Sequence, residues 1–567
     1  MIREPRGQAN ACVAPTAIRL AFACCIWAAC GVDASRTEQR PPPREYDDQR
    51  GLGPPDAPML LSAPPGASVS HEPGAVVIRD DAGEASMSLV RRRLYAVARA
   101  QDVMTGEWRR HYPVLDCAPT REVARVAADG WDEELIIHHA ARPGFCRFAQ
   151  TQMRRLGSTW YLLLIEAPVG ARERALVLAE QVWDSLHVPG ILREDLAAKP
   201  FRPIDAGAAA DLAEFVDASI RTAGVPGAAF VIVSTEGVLL QGASGTTRVG
   251  GGTAAQPDTL FRIGSITKPL TSLLAASLVD EGLLTWDTRL DEIYPEYSTL
   301  PPPLARLPLY ATMCACMGLR RADAIVLLEF EGMTPETYLA EGLSRTRVKL
   351  GQFAYNNQIF AVGGYACAAS SEPGLSLNQS FARALEARVL VPLGMRSVSL
   401  TAPDTTDPRW AWPHAVTRDL HYSSVSDYLD HGLNNIAPAG GAWASVRDLA
   451  RLLQMELRLG ELDGKRIFSR ENLLYRRIPR THHSAHNEYA LGWFVKSDNG
   501  ITIVHHVGDT VGYTGEIFLL PDYGVGAAIL MNGGDGGPVR SAFRRKLLEL
   551  WFAADDRSAR LLEAGVA

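Results

Sequence analysis

Ser265 and Lys268 stand three residues apart in Phe261-Arg-Ile-Gly-Ser265-Ile-Thr-Lys268, just ahead of the apolar stretch Pro269–Leu283. A serine hydroxyl is a weak nucleophile until a base removes its proton. A lysine held in a dry pocket beside other cations or donors has its pKa lowered enough to be that base. Leu270, Leu273, Leu274, Leu278 and Val279 recur at helical spacing, so the stretch predicts a helix. Pro269 suits its start, where the first N–H groups have no intrahelical partner. On such a helix Ser265 and Lys268 share a face. The N–H groups at its positive end favour a developing oxyanion. In isolation the spacing is weak evidence. Chance supplies Ser-x-x-Lys about once or twice in a chain of this length, and a solvated helix face is the plainer explanation of one such match.

Two later stretches change that balance. Gly351-Gln-Phe-Ala-Tyr355-Asn356-Asn357 leads into the apolar segment Ile359–Tyr365, which reads as a loop entering a helix. A tyrosine beside a lysine ammonium ionises more easily and serves as acid or base. An amide two residues on, Asn357, can hold a substrate carbonyl. The competing reading is a turn whose asparagines bond local backbone. The other stretch is Ile503-Val-His505-His506-Val507-Gly508-Asp509, followed by Gly512-Tyr-Thr-Gly515. Behind it, Ile517–Leu520 and Val525–Met531 flank Pro521-Asp-Tyr-Gly524, a hairpin with turn chemistry. A strand bearing His506 and then Gly508 lets a substrate lie along its edge. Glycine permits close approach, and the N–H that follows completes an oxyanion hole. His505 and His506 point to opposite faces, so only one faces the site. The competing reading is an ordinary edge strand with a solvated His506.

The rest of the chain must position these groups. At 567 residues it has ample material for a large core and for about three or four domains. Hydrophobic residues make up 47% and charged residues 21%, which excludes a disordered chain or a coiled coil. The net charge of −7 argues against a nucleic-acid partner, and Arg91-Arg92-Arg93 reads as a solvated face. Residues 1–30 carry Arg3, Arg6 and Arg19, then the apolar run Leu20–Ala29. The run is too short to span a bilayer, which needs about 18 or more apolar residues, and it reads as a secretory signal rather than a buried N-terminal helix. Trp27-Ala28-Ala29-Cys30 resembles a lipoprotein cleavage box with Cys30 lipidated; a second processing site follows Val32-Asp33-Ala34. Residues 31–58, with Pro41-Pro42-Pro43 and Pro54-Pro55, form an extended linker. Residues 59–195 read as a small α+β domain of unassigned role. Its signals are the strand-length run Trp160–Ile165 and helical spacing across Ala171–Leu186. His138-His139 sits in a strand there, where neighbours cannot readily share one metal. Ala197–Pro203, with two prolines, marks a boundary before a second, larger domain over 206–555.

Nine cysteines, four of them in or beside the signal, are too sparse for a disulfide framework. Cys117 and Cys146 are the plausible bridge in an oxidising compartment. Cys314 and Cys316 read as buried small hydrophobes, since no second pair at zinc spacing accompanies them. The segment Arg476–His486, with His482, His483 and His486, reads as a solvated loop, with no acidic or Cys partner spaced for metal. No metal or cofactor is called for.

Taken in order, the three stretches resemble the penicilloyl serine transferase group, which includes class C β-lactamases, DD-peptidases and esterase relatives. Val225-Pro-Gly-Ala-Ala229, Asp258-Thr-Leu-Phe-Arg-Ile263, Val279–Asp287, Pro392-Leu-Gly-Met395, Ala439-Gly-Gly-Ala-Trp-Ala-Ser-Val-Arg-Asp448 and Tyr489-Ala-Leu-Gly-Trp493 are similar to further landmarks of that group. The resemblance covers about 206–555. It implies an α+β, β-lactamase/DD-peptidase-like fold, an antiparallel sheet flanked by helices with a helical subdomain. It also implies roles: Ser265 as the acylated nucleophile, Lys268 taking or relaying its proton, Tyr355 as acid–base partner and Asn357 on the substrate carbonyl. His506-Val507-Gly508 would line the site, and the N–H groups of Ser265 and Asp509 would form the oxyanion hole.

Two departures set this sequence apart. Val507 replaces a hydroxyl residue that, in β-lactam-binding relatives, helps hold the substrate carboxylate; valine cannot donate that bond. A site built around such a bond is expected to lose about 1–3 kcal/mol without it. Thr312–Leu319 carries Cys316 and Met317 where relatives have hydroxyls. The expectation is an exported serine hydrolase of the periplasm or cell envelope. It would act on a small-molecule or peptide acyl substrate, esters before β-lactams, without metal or cofactor. The alternatives are a penicillin-recognising β-lactamase or D-amino-acid peptidase of the cell wall, or a binding or scaffold protein with a silent site. Acyl-group size would depend on loops such as Glu329–Lys349 and Thr401–Asn435.

Overall fold

A computed structural model describes residues 60–61, 63–64, 67–72, 74–93, 100–112, 118–125, 127, 130–140, 147–188, 191, 194–319, 330–343, 351–419, 421–484 and 486–566. The signal and linker segments, Cys30, Cys117, Cys146 and residues 320–329 and 344–350 lie outside the described residues.

Seven antiparallel strands form a first sheet: β1 (Ala67–Glu72), β2 (Ala75–Asp80), β3 (Ser86–Arg93), β4 (Ala118–Arg125), β5 (Glu133–Ala140), β6 (Arg147–Leu156) and β7 (Thr159–Pro168), in the order β1-β2-β3-β7-β6-β5-β4. Helix α1 (Ala100–His111) brings Met104 and Trp108 against Val90, Met153, Leu162 and Leu164. Helix α2 (Arg172–Ser185) brings Leu178, Val182 and Trp183 against Ile78, Met87, Leu89, Leu163 and Ile165. Consecutive residues of β7 therefore meet different helices. A strand covered on both faces reads as a continuous apolar run rather than an alternating one, which is why Trp160–Ile165 shows no alternation. His138 and His139 share β5. His139 is buried, with Nε2 2.8 Å from Thr151 Oγ1, and burial followed by the neighbouring His138 lowers it to about 4. Arg92 reaches from β3 to Glu107 of α1, Nε to Oε1 at 2.9 Å and Nη2 to Oε2 at 2.8 Å, so part of the arginine triplet fastens a helix to the sheet.

Helix α3 (Ala206–Ala223) opens the second unit. Asp205 Oδ1 caps it by accepting from the Ala208 N–H at 2.8 Å, and Gly224 ends it in the left-handed region at φ 68°. The second sheet has eight antiparallel strands: β8 (Gly227–Ser234), β9 (Val238–Gly245), β10 (Thr481–His482), β11 (Asn487–Tyr489), β12 (Phe494–Asp498), β13 (Ile501–Asp509), β14 (Thr514–Leu520) and β15 (Val525–Met531). Their order is β9-β8-β15-β14-β13-β12-β11-β10, so the N-terminal hairpin pairs with the C-terminal one. On one face α3 and α7 (Gly537–Phe552) pack Leu212, Val216, Phe543 and Trp551 on Phe230, Ile232, Phe518 and Ile529. On the other, α4 (Thr267–Asp280) and α6 (Val446–Leu457) pack Leu273, Leu274, Leu449 and Leu453 on Ala229, Val231, Ile517 and Leu530. Both faces are again covered, so β8 and β15 are apolar throughout. Helix α5 (Asn357–Ser371) is buried almost all round, as its apolar composition requires. It belongs to a helical layer beside α4. No helix among the described residues is long and apolar enough to cross a membrane.

Cys314 and Cys316 are joined by a disulfide, which corrects their reading as unpaired buried hydrophobes. Ala315 between them lies at φ 49°, a turn that brings the two sulfurs to one side. Short loop spacing hid the pair because it leaves almost no chain to close. Both residues are buried, as expected of this apolar segment.

Candidate active site

Three elements converge on Lys268. Ser265 lies in the single 3₁₀ turn Gly264–Ile266, and Lys268 is the second residue of α4. The side chain of Lys268 is 1% exposed. Its Nζ donates to Ser265 Oγ at 2.9 Å, to Asn357 Oδ1 at 2.7 Å and to the Ala439 carbonyl at 2.7 Å. Asn357 Oδ1 and Ala439 O can only accept, so each holds one hydrogen of the nitrogen. Of these three partners Ser265 Oγ alone can exchange a proton with it. The geometry therefore aims the proton-exchanging position of the lysine at the serine. Nζ also lies 4.7 Å from the Tyr355 ring centroid and 5.4 Å from that of Phe360.

The two asparagines divide their work. Asn356 caps α5, its Oδ1 accepting from the Ile359 N–H at 2.9 Å. The local backbone reading thus applies to Asn356, while Asn357 Oδ1 meets the lysine. With Asn357 Oδ1 on the ammonium, its NH₂ end is the part suited to a substrate carbonyl. The Tyr355 loop is braced from behind by the disulfide loop. Ala354 N–H donates to Ala315 O at 2.8 Å and Gly351 N–H to Cys316 O at 2.8 Å.

Strand β13 brings the last group. Gly508 packs so tightly on the Ser265 turn that an added Cβ would lie 2.0 Å from Ile263 O. Gly264 sits at φ 51°, and a Cβ there would lie 3.2 Å from Asp509 N. The backbone of Asp509 is thus beside the nucleophile turn, where an oxyanion donor is needed. Its carboxylate turns away to Arg540 Nη1 at 2.6 Å. Gly508→Ala should force β13 off the turn. Displacing one oxyanion donor typically lowers kcat by about 10²–10³-fold, and a loss of that size in ester turnover is expected for this variant. Activity within a few-fold of wild type would contradict the assignment.

His506 and Val507 sit differently from one another. Val507 pairs in register with Glu516, and His506 with Ile517. By alternation Val507 shares the face of His505 and Glu516, not that of His506. His506 is fully enclosed. Its Nδ1 is 2.7 Å from Val507 O and its Nε2 is 3.1 Å from the Tyr489 hydroxyl. Burial, with Lys268 nearby, holds the ring well below the usual imidazole range, so it is neutral. Both nitrogens are engaged within the protein. His505 lies on the opposite face, 3.5 Å from Glu516 Oε1.

Several residues of the site carry no motif signal. Ala439 acts through its carbonyl, which any side chain leaves unchanged. Arg476, in a stretch read as solvated loop, is fully buried; it donates to Glu456 Oε1 at 2.8 Å, Pro269 O at 2.9 Å and Ser272 Oγ at 2.9 Å. It thereby holds the first turns of the nucleophile helix. Further along, His482 and His486 are exposed, but His483 packs edge-on to Phe353 at 4.8 Å and Phe494 at 5.6 Å and is lowered to about 4 by burial. No metal-binding cluster occurs among the described residues.

Known proteins resemble this chain. Residues 212–550 match the family model described as Beta-lactamase. The chain is 27% identical over 321 residues to Penicillin-binding protein 4 of Amycolatopsis lactamdurans, covering 55% of this chain and 81% of that protein. It is 24% identical over 332 residues to the unguisins hydrolase ungD' of Aspergillus campestris, covering 55% of this chain and 60% of that one. The octameric penicillin-binding protein homologue from Pyrococcus abyssi superposes with a TM-score of 0.50 at 21% identity, over 61% of this chain and 78% of its own. The fold is thus the α+β architecture of β-lactamases and DD-peptidases, a sheet flanked by helices.

Proposed function

Because this chain belongs to the β-lactamase family, whose members are serine hydrolases, we propose that it is an exported acyl hydrolase using Ser265, with neutral esters as its preferred substrates. Ser265 Oγ attacks the carbonyl carbon while its proton passes to the neutral form of Lys268, whose two hydrogens stay on Asn357 Oδ1 and the Ala439 carbonyl. The new C–O bond forms, the leaving group departs with a proton, and water then releases the acid from the acyl-enzyme. Tyr355 acts as acid–base partner, Asn357 meets the acyl carbonyl, and the N–H groups of Ser265 and Asp509 take the oxyanion. The observation that carries the reading is Lys268 Nζ at 2.9 Å from Ser265 Oγ, with Asn357 and Ala439 holding its other hydrogens.

The preference for a neutral substrate rests on the strand beside the site. A β-lactam or a peptide with a free C-terminus brings a carboxylate that needs a cation or hydroxyl donor. His506 has one N–H, which is bonded to Val507 O, so the ring offers no donor to such a carboxylate. The second reading, a penicillin-recognising enzyme, is favoured by the likeness to Penicillin-binding protein 4. One comparison separates the two. The purified protein is given a short-chain nitrophenyl ester and, separately, benzylpenicillin, with acylation of Ser265 followed by mass. Rapid ester turnover with slow or no penicilloylation is the expected result. Fast, stable penicilloylation would overturn the ester preference, and no acylation by either would favour a silent site. Export is tested by locating the protein after expression in a bacterium, with and without residues 1–30; retention in the cytoplasm of the full chain would refute it.

A further inference from the structure

The 3₁₀ segment Asp427–Ile436 closes one of the loops expected to set acyl-group size. It also makes two contacts with the chains that flank the proposed oxyanion hole. Asp430 is 1% exposed, and its Oδ1 accepts from the Val511 N–H at 3.2 Å. Val511 stands two residues after Asp509. It belongs to the turn that joins β13 to β14, where Thr510 N–H donates to Tyr513 O at 2.9 Å beyond the Asp509–Thr514 pair. Four residues on from Asp430, Asn434 Oδ1 accepts from Arg262 Nη2 at 3.0 Å. Arg262 stands three residues before Ser265, is buried, and pairs through its backbone with Trp443. One short segment therefore grips both chains that carry the oxyanion donors: the strand entering the Ser265 turn and the hairpin leaving Asp509. Burial raises the Asp430 carboxyl, and the Arg262 guanidinium works against that rise, so the two grips also support each other electrostatically.

The gap between those chains is narrow. A Cβ added to Gly264 would lie 3.1 Å from Thr510 Cγ2 and 3.2 Å from Asp509 N. Behind the turn there is no more room: a Cβ on Gly512 would lie 2.2 Å from Pro413 Cβ, and one on Gly534 2.2 Å from Val511 O. Close backbone packing thus seats the turn, and Asp430 adds the hydrogen bond that ties it to the segment.

We propose that Asp430 is a positioning residue for the acyl transfer: by tying the Val511 N–H to a segment that also holds Arg262, it sets the distance between the Ser265 and Asp509 N–H groups that receive the oxyanion. It acts through the backbone of the turn and not on the substrate. This inference rests on the proposed acyl-transfer reading of the site.

Asp430→Ala leaves the Val511 N–H without its acceptor. Misplacing a catalytic group by about 1 Å can cost about 10²-fold, so kcat for a short-chain nitrophenyl ester is expected to fall about 10- to 100-fold, with KM changed less than about twofold. Phenylboronic acid forms a tetrahedral adduct on a serine oxygen, and one of its oxygens takes the oxyanion position. Its affinity should weaken by a factor similar to the loss in kcat, as expected of a transition-state mimic. Asp430→Asn keeps an oxygen acceptor and should recover most of both losses. Asn434 is exposed, so Asn434→Ala releases the other grip without a core defect; it should lower kcat and boronate affinity together. A merely structural role would lower the thermal midpoint and the number of sites titrated by the nitrophenol burst, while kcat per titrated site and boronate affinity stayed at wild-type values. That result would overturn the inference, as would a loss in Asp430→Asn as large as that in Asp430→Ala. Amide hydrogen exchange in the whole protein tests the bond itself: slow exchange at Val511 is expected in wild type and in Asp430→Asn. Fast exchange there in wild type would overturn the inference even if Asp430→Ala did not fold. Failure of wild type to be acylated at Ser265 would instead defeat the acyl-transfer reading, while exchange at Val511 still decides whether the grip exists.

Discussion

Ser265→Ala is expected to abolish turnover of a short-chain nitrophenyl ester, with kcat falling by about 10⁴-fold or more. The substitution removes the one atom that can form the acyl-enzyme. It should leave the fold intact, because Lys268 keeps Asn357 Oδ1 and Ala439 O as partners and the turn is set by Gly264 and β13. Thermal unfolding of the variant should therefore superpose on wild type. Lys268→Met should cost activity on a similar scale. The double variant should be scarcely worse than either single one, since groups acting as a unit are strongly non-additive. Substantial turnover by folded Ser265→Ala would remove the nucleophile assignment, and with it the mechanism.

The second large effect is on stability. Glu456 and Arg476 are both fully buried, and Arg477 adds a second guanidinium to the same carboxylate. Glu456→Ala leaves two buried cations without their partner. Breaking a buried pair in this way costs about 3–5 kcal/mol, to be read as a lower denaturant midpoint with an unchanged slope. The same variant should lose activity at temperatures where wild type is folded, because Arg476 ties Pro269 and Ser272 of the nucleophile helix. The pH dependence has a definite sign. Burial alone would raise the Glu456 carboxyl, but Arg476 and Arg477 bring it below its ordinary value. A depressed carboxylate contributes stability that is present above the unfolded value and is lost as pH falls through the folded one. Glu456→Gln should flatten that acid limb. An equally steep acid limb in the variant would show that other carboxylates govern it.

The motif residues differ in how far one strand of sequence could place them. Ser265 and Lys268 are local to each other, and helical spacing predicts their contact. For Asn357 the spacing suggests a substrate carbonyl, and the structure adds Lys268, 89 positions away, as the partner of its oxygen. Val507 reads from sequence as a missing donor, and the register opposite Glu516 puts it on the other face from His506. Tyr489 stands out in the sequence only as a landmark, since a buried tyrosine in a short strand looks like any core aromatic until its hydroxyl is seen beside His506 Nε2. Arg476 was invisible because a charged residue among histidines reads as surface. Cys314 and Cys316 lacked a signal because disulfide geometry depends on the turn between them.

What the sequence by itself determined was the chemistry available and its order along the chain. A serine three residues before a lysine, a tyrosine and amide entering an apolar helix, and a glycine behind a histidine on a strand are all set by local periodicity. Those same patterns, with their landmarks, were sufficient for the family and the α+β fold. Tertiary structure alone decided which hydrogen goes where. The acceptors that orient Lys268 come from α5 and the Ala439 turn, and the hydroxyl that meets His506 comes from β11, segments brought together by packing. Hydrogen-bond direction depends on ångström-scale distances between such segments and on burial that keeps an imidazole neutral. Neither quantity is encoded in the spacing of residues along one chain.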